Sequence, residues 1–224
     1  MDIPGTGNIN SDPLFCNADS SDFTLYNNSP CVGTGQDGAN IGAYGVGCEA
    51  ENTVTDIDGN VYEIIQIGEQ LWMAENLKVT HYRNGDELPN ITNGDDWISL
   101  SSGAYSHYNN NESMAETYGH LYNWYAVNDI RNIAPEGWHI PTDEEWQELV
   151  DYLGGNGEAG GKMKEEGFEH WNNPNEGATN ESGFTGLPGG YRGSNDGVYG
   201  NIGNSGYFWS SSENDSDGSW YREL

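Results

Sequence analysis

The residues that most often carry chemistry in proteins are spread through this sequence without the spacing that a catalytic centre needs. Five histidines occur, none of them four residues from another, and the three cysteines form no Cys-x-x-Cys pair. Both observations argue against a zinc site. No Gly-x-Ser-x-Gly elbow is present, although a Ser-His-Asp triad stays open because its members can be distant in sequence. We therefore predict that the chain is not an enzyme and has no catalytic residues.

Acidic residues dominate the charge, with 36 of them against 7 basic residues and a net charge of -29. Any two could be chosen as the carboxylates of a glycoside hydrolase, so no choice is informative. A surface of this sign repels phosphate and anionic lipid, which argues against nucleic acid and membrane partners. Cations, basic proteins and neutral glycans remain as partners, and the alternative is that the charge only keeps the protein soluble. No apolar run approaches the roughly 20 residues of a membrane-spanning helix.

The elements that would position a site include strands joined by tight turns. Apolar residues make up only 34% of the chain, but 8 Trp and 14 Tyr indicate a folded protein, and 32 Gly indicate many turns. Segments 53–57 and 61–67 flank the turn 58–60, which predicts a hairpin. The polar side chains here resemble a calcium loop only superficially, because the glycine and the distal glutamate are misplaced. We interpret as part of a turn the residues Asp56, Asp58 and Asn60.

Two helices are predicted, with further strands around them. The first covers 118–125, where the apolar residues at i, i+3, i+4 and i+7 are Tyr118, Leu121, Tyr122 and Tyr125. The second begins at Thr142, which forms a capping box with Glu145, and ends at Gly154. Its buried stripe is predicted to consist of Trp146, Leu149, Val150 and Leu153. Helices followed by long loops and a hairpin are typical of an α+β fold, and its remaining extended segments are predicted at 71–77, 206–212 and 218–224.

Residues 1–50 form a separate predicted domain of short strands and turns. Segments 8–15, 22–25, 29–31 and 41–44 resemble the closing coils of right-handed parallel β-helices from bacterial surface and secreted proteins. Coils of a solenoid bury their apolar residues only against neighbouring coils, so we expect an upstream solenoid beyond this sequence. The alternative is an irregular extracellular linker. In an oxidising compartment we expect a Cys16–Cys31 disulfide that leaves Cys48 unpaired.

Residues 51–224 resemble the Fibrobacter succinogenes major paralogous domain family. The segments that carry this resemblance are Thr55–Tyr62, Trp72–Leu77, Tyr118–Val127, Gly137–Trp146, Leu187–Arg192 and Trp209–Glu213. The resemblance implies a C-type-lectin-like domain with two helices and a mainly antiparallel sheet. It also implies an extracellular location, secreted or attached to the cell surface. Formylglycine-generating enzymes share this fold, but their oxidase chemistry needs late cysteines, and residues 51–224 contain none.

Members of the family usually continue past a segment like 220–222 to a last strand that carries a cysteine. We therefore expect the sequence to be a fragment at both ends, and the absent cysteine to be the natural partner of Cys48. Without its last strand, the domain is expected to be marginally stable and to melt several degrees higher when extended.

The lectin-like layout implies that the long loops and the final hairpin form the free face of the domain. Binding residues often lie on loops that a rigid scaffold holds in place. Their aromatic and amide side chains suit a neutral glycan, and the acidic loop 213–217 could take a calcium ion as the one possible cofactor. The alternative is that Tyr199 and Trp220 belong to the core and the polar residues are solvated turns. The predicted ligand-binding residues are Arg192, Asn195, Asp196, Tyr199, Asn201, Asn204, Asn214, Asp215, Asp217 and Trp220.

The function predicted from these observations is a non-catalytic extracellular binding or display module, with a glycan or a surface protein as its ligand. The alternative is an accessory segment of a polysaccharide-degrading enzyme whose catalytic β-helix lies upstream, although fold analogy alone supports that reading weakly. A purely structural spacer stays open as a third possibility. The sequence contains no indication of the oligomeric state.

Overall fold

The computed structural model describes residues 13, 15–17, 21–26, 29, 31–35, 39–41, 44–48, 53–215 and 218–224. The chain divides into two compact units, Met1–Asn52 and Thr53–Leu224. In the first unit, strands β1 (Phe15–Asn17), β2 (Asp22–Tyr26) and β3 (Val46–Cys48) form one sheet in that order.

The pairing of β2 differs on its two sides. Strand β1 runs antiparallel to it and β3 runs parallel. The strand predicted at 41–44 is wrong, because Ile41 and Tyr44 lie in bends and the strand begins only at Val46. The parallel β-helix stays a prediction, and the part of its pattern at 8–12 falls outside the described residues.

The disulfide of the first unit joins Cys16 to Cys48, with their Cα atoms 6.1 Å apart. The predicted Cys16–Cys31 bond is therefore wrong, as is the prediction of an unpaired Cys48. Cys31 is a buried free thiol. The short spacing between Cys16 and Cys31 favoured their pairing. In the structure, β1 with Cys16 and β3 with Cys48 belong to one sheet on either side of β2, and this arrangement brings Cys48 to Cys16 instead.

The second unit combines short helices with small sheets. Its strands are β4 (Thr53–Thr55), β5 (Val61–Ile67), β6 (Gln70–Met73), β7 (Tyr105–Ser106), β8 (Leu121–Tyr122), β9 (Tyr191–Arg192), β10 (Tyr199–Gly200), β11 (Tyr207–Asp215) and β12 (Gly218–Glu223). Its α-helices are α1 (Gly94–Ile98), α2 (Met114–Tyr118), α3 (Trp124–Val127), α4 (Asp143–Tyr152) and α5 (Ala159–Met163). The named strands of this unit all pair antiparallel, as β4-β5-β6, β7-β8, β9-β10 and β11-β12. The predicted α+β class is confirmed as a mixture of helices and antiparallel sheets, while the C-type-lectin-like arrangement stays a prediction.

The predicted hairpin is formed by β4 and β5, and the carboxylate of Asp56 organises its turn. Asp56 accepts hydrogen bonds from the backbone nitrogens of Asp58 and Asn60 and from the Tyr62 hydroxyl. Burial, followed by the hydrogen bond to Asp56, raises the pKa of Tyr62. Because these donors already surround the carboxylate, the interpretation as a turn explains the polar residues here without a calcium ion.

Helix α4 is confirmed together with its capping box. The Thr142 hydroxyl accepts from the Glu145 nitrogen, and the Glu145 carboxylate accepts from the Thr142 nitrogen. The buried residues of its predicted stripe are Trp146, Leu149, Val150 and Leu153.

The helix predicted over 118–125 is wrong. Helix α2 ends at Tyr118, strand β8 follows, and α3 begins at Trp124. Gly119 interrupts the pattern with a φ of 71°. A Cβ at Gly119 would lie 2.7 Å from the Cβ of Asn76, so the chain passes too close to that residue for any side chain. Close tertiary packing thus overrides the helical periodicity.

Two apolar clusters form the core of the second unit. The first packs α4 against β5, β6 and α5, and its buried residues are Ile67, Trp72, Trp146, Leu149, Val150, Leu153, Ala159, Met163 and Phe184. The second surrounds β7, β8 and α3, and its buried residues are Val79, Tyr82, Leu88, Tyr105, Tyr122, Ala126, Val127 and Ile133. Trp209 of β11 links them, because it packs against the second cluster while its carbonyl accepts from Trp146 Nε1.

Candidate ligand-binding site

Arg192 was predicted to lie on the free face, but it is only 8% exposed. Its guanidinium donates to the carbonyls of Ile91, Thr92 and Gly197. It also lies over the Trp97 ring at 4.4 Å. We call this group the Arg192 clamp, and it consists of the segment 91–97, which includes the start of α1, joined to the segment 192–199. The prediction of Arg192 as an exposed ligand contact is wrong, because all three nitrogens of its guanidinium donate to carbonyls of these two segments.

The neighbouring predicted residues also serve the fold of this loop. Tyr199 is half-buried, lies 4.8 Å from the Arg192 guanidinium, and donates its hydroxyl to Asn110 Oδ1 at 2.7 Å. The Asp196 carboxylate accepts from the Val198 nitrogen at 3.0 Å. Asn195 is exposed. The clamp therefore leaves few of its polar atoms available to a ligand.

The other predicted residues are dispersed. Asn201 is exposed beside Tyr207, while Asn204 bonds back to the Ile202 carbonyl and accepts from Asn172. Trp220 is 46% exposed. Asn214 is exposed near the end of β11. The side chain of Asp215 and all of Asp217 fall outside the described residues, so the predicted calcium loop stays a prediction.

Three tyrosines that the sequence reasoning missed lie together on the surface. The Tyr191 and Tyr207 ring centroids are 5.3 Å apart, and those of Tyr207 and Tyr221 are 5.8 Å apart. Tyr191 is 40% exposed and Tyr221 is 53% exposed. We call these three residues the tyrosine strip. The strip runs from β9 across β11 to β12 and presents aromatic surface to solvent.

The hairpin register explains why two of these rings meet. Tyr221 lies opposite Trp209 in the β11–β12 pair. Tyr207 is two residues from Trp209 and therefore shares its face of the hairpin. The alternation places Trp220 on the opposite face from Tyr221. The sequence contained this signal, since the predicted hairpin and strand alternation together place Tyr207 and Tyr221 side by side.

Polar groups border the strip at Tyr207. Asn201 Nδ2 donates to the Tyr207 hydroxyl at 2.8 Å, and that hydroxyl donates to Glu223 Oε1 at 2.9 Å. Burial, together with the hydrogen bond to Glu223, raises the pKa of Tyr207. The border thus combines an amide, a hydroxyl and a carboxylate, which are groups that can hydrogen-bond the hydroxyls of a ligand.

An apolar groove of about 600 Å³ also opens in the second unit. It is lined by members of both core clusters and by Tyr207, the one residue that it shares with the tyrosine strip. The segments along it include 70–78, 116–122 and 207–209. Its lining is mainly apolar and also includes polar side chains, among them Gln70, His120 and Glu145.

His107, which is buried, and His120, which is partly buried, lie side by side in the second unit. Their ring centroids are 4.9 Å apart, and in the described structure neither Nδ1 atom has a hydrogen-bond partner. Burial, followed by the neighbouring His107, lowers the pKa of His120 to about 4, so His120 is neutral at pH 7. Within the described ranges, no three His, Cys, Asp or Glu side chains lie close enough together to hold a metal ion. Among the described residues, the pair therefore has no third ligand of these types.

Comparison with known proteins identifies one relationship. The Fibrobacter succinogenes major domain model matches residues 65–224. The match begins after the segment Thr55–Tyr62 and includes the other segments on which the resemblance was based. No curated protein and no solved structure matches the chain. In the described part of the chain, no helix is both long and apolar enough to cross a membrane.

Proposed function

We propose that this chain, which belongs to the Fibrobacter succinogenes major domain family, is a non-catalytic module that binds a neutral glycan on its tyrosine strip. The observation that carries the proposal is the exposure of adjoining aromatic rings beside the Asn201 amide and the Glu223 carboxylate. Aromatic rings that stay exposed on a folded surface commonly mark a binding site.

The chemistry of the strip favours a sugar over other ligands. The C–H faces of a pyranose ring pack on aromatic rings, and its hydroxyls exchange hydrogen bonds with amides and carboxylates. The net charge of -29 and the Glu223 carboxylate repel anionic ligands, so a neutral glycan suits the site better than an acidic one.

An extracellular setting and a C-type-lectin-like arrangement are part of the same proposal. The Cys16–Cys48 disulfide supports an oxidising compartment, since disulfides persist mainly in exported proteins. The small antiparallel sheets and short helices of the second unit are compatible with a lectin-like domain. Such a scaffold would anchor the final hairpin to the core through Phe208 and Trp209 and leave the rings of Tyr191 and Tyr221 exposed.

The test is calorimetric titration with soluble cello-, xylo-, manno- and galacto-oligosaccharides, with and without calcium. We expect at least one series to bind, and Tyr221→Ala to weaken its binding about tenfold, because the variant removes an exposed stacking face. Tyr125→Ala is the matched control, since Tyr125 is 47% exposed but lies outside the strip. It is expected to bind as the wild type does.

Three results would contradict the proposal. One is the absence of binding to every oligosaccharide by a protein that unfolds cooperatively. Another is a glycan whose affinity is unaffected by Tyr191→Ala and by Tyr221→Ala. A third is binding of a basic protein and of no glycan. If substitutions in the strip abolished that binding, the ligand of the strip would be a protein and the proposal of a glycan would be rejected.

A further inference from the structure

The three rings of the tyrosine strip do not lie in one plane. The Tyr191 and Tyr207 rings meet edge to face, with an interplanar angle of 84°. The angle between Tyr207 and Tyr221 is 54°. A rigid flat surface can stack on one of these rings at a time, whereas a flexible chain can follow the change in direction from ring to ring.

Local contacts hold two of the rings in these orientations. The Tyr191 ring lies against Gly200, where an added Cβ would be only 2.9 Å from the ring atom Cζ. The Tyr207 hydroxyl is fixed between Asn201 and Glu223 by hydrogen bonds of 2.8 and 2.9 Å. Rotating the rings into one plane would break these contacts, so the strip is not expected to flatten against a solid surface.

We infer that the tyrosine strip takes a single, soluble and uncharged glycan chain, and does not take the flat face of a crystalline polysaccharide. This inference rests on the proposed function and specifies its ligand. The chain stacks on the outer rings of Tyr191 and Tyr221, while its hydroxyls meet the polar border around Tyr207.

The experiment compares soluble and crystalline probes of related chemistry. Affinity electrophoresis uses hydroxyethylcellulose, xylan and galactomannan as soluble neutral chains and polygalacturonate as an acidic one. Depletion assays use microcrystalline cellulose and crystalline chitin. We expect at least one soluble neutral chain to retard the protein, Tyr221→Ala to reduce that retardation about tenfold, and the acidic chain and both crystalline solids to leave the protein unbound.

Each other outcome contradicts either the inference or the proposed function. If a crystalline solid depleted the protein from solution and Tyr221→Ala abolished this depletion, the single-chain inference would be refuted and the glycan-binding function would stand. Retardation by polygalacturonate that depends on Tyr221 would refute the requirement for an uncharged chain. Failure of every soluble and solid probe would refute the proposed function itself, and the inference with it. Tyr125→Ala again serves as the control, and chemical unfolding verifies that each variant is folded.

Discussion

The Arg192 clamp and the tyrosine strip contain similar residues but use them in opposite ways. In the clamp, Arg192 and Trp97 are both less than 9% exposed and contact each other. In the strip, Tyr191 and Tyr221 keep 40% and 53% of their surface exposed. Both regions lie at the β9–β10 pair, because Arg192 pairs with Tyr199 and Tyr191 pairs with Gly200.

The difference shows that residue type alone does not distinguish a binding surface from a structural contact. An arginine near aromatic rings and asparagines is an attractive ligand contact when it is exposed. The same guanidinium stabilises a fold when carbonyl groups surround it, because removal of the arginine leaves those acceptors without their donors. Substitutions in the clamp should therefore change stability, and those in the strip should change binding.

The largest expected effect is that of Arg192→Ala. It removes the donors to Ile91, Thr92 and Gly197 and the contact with Trp97, and we expect a loss of about 3 kcal/mol in unfolding free energy. Urea denaturation measures this loss. Arg131→Ala is the control, because Arg131 also lies over an aromatic ring, that of Tyr82, but its side chain donates to carboxylates and not to backbone carbonyls. Its loss should be clearly smaller, since carboxylates left without this partner can still be hydrated. Equal losses would mean that the clamp contributes no special stability.

Gly197→Ala tests the clamp through its backbone. Gly197 has a φ of +65°, and an added Cβ would lie 2.6 Å from backbone atoms of Gly94. Since neither strain nor clash can be relieved by a side-chain rotation, we expect a loss of about 2 kcal/mol. Glycan affinity, measured where the variant is folded, should stay within about twofold of wild type. A stable variant with weakened binding would contradict the division between the two regions.

Gly200→Ala makes the corresponding change beside the strip. The atoms nearest to the new Cβ would belong to the Tyr191 side chain, at 2.9 to 3.1 Å. Because Tyr191 is partly exposed, its ring can shift outward while it stays in contact with residue 200, and we expect a loss of less than about 1 kcal/mol in stability. Affinity for the soluble glycan should fall about fivefold as the ring is displaced. A large loss of stability without any change in affinity would place Gly200 with the clamp.

The smallest expected effect is that of Tyr207→Phe. This variant keeps the ring but removes the hydroxyl between Asn201 and Glu223. We expect about a threefold loss of affinity and a change of about 0.5 kcal/mol in stability, since these hydrogen bonds lie at the surface. Calorimetry measures the change in affinity, and urea denaturation of the same preparation measures the change in stability. An affinity loss as large as that of Tyr221→Ala would mean that the hydroxyl, and not the stacking, dominates recognition.

The features predicted correctly from the sequence depend on neighbours along the chain. The capping box of Thr142 and Glu145 and the turn at 58–60 need only residues a few positions apart, and both are present in the structure. The hairpin at 206–224 likewise joins adjacent segments. The family resemblance drew on several such segments, and it is confirmed over residues 65–224.

Contacts between distant segments decided the rest. Cys48 reaches Cys16 through strand pairing, and Gly119 breaks a helical pattern because Asn76 lies against it. Arg192 is buried because the carbonyls of Ile91 and Thr92, a hundred positions away in sequence, surround its guanidinium. The sequence by itself determined local turns, caps and family membership, because short-range hydrogen bonds and periodicity specify them. Only the tertiary structure decided which polar and aromatic side chains are buried together and which stay exposed, because burial depends on the whole packed chain.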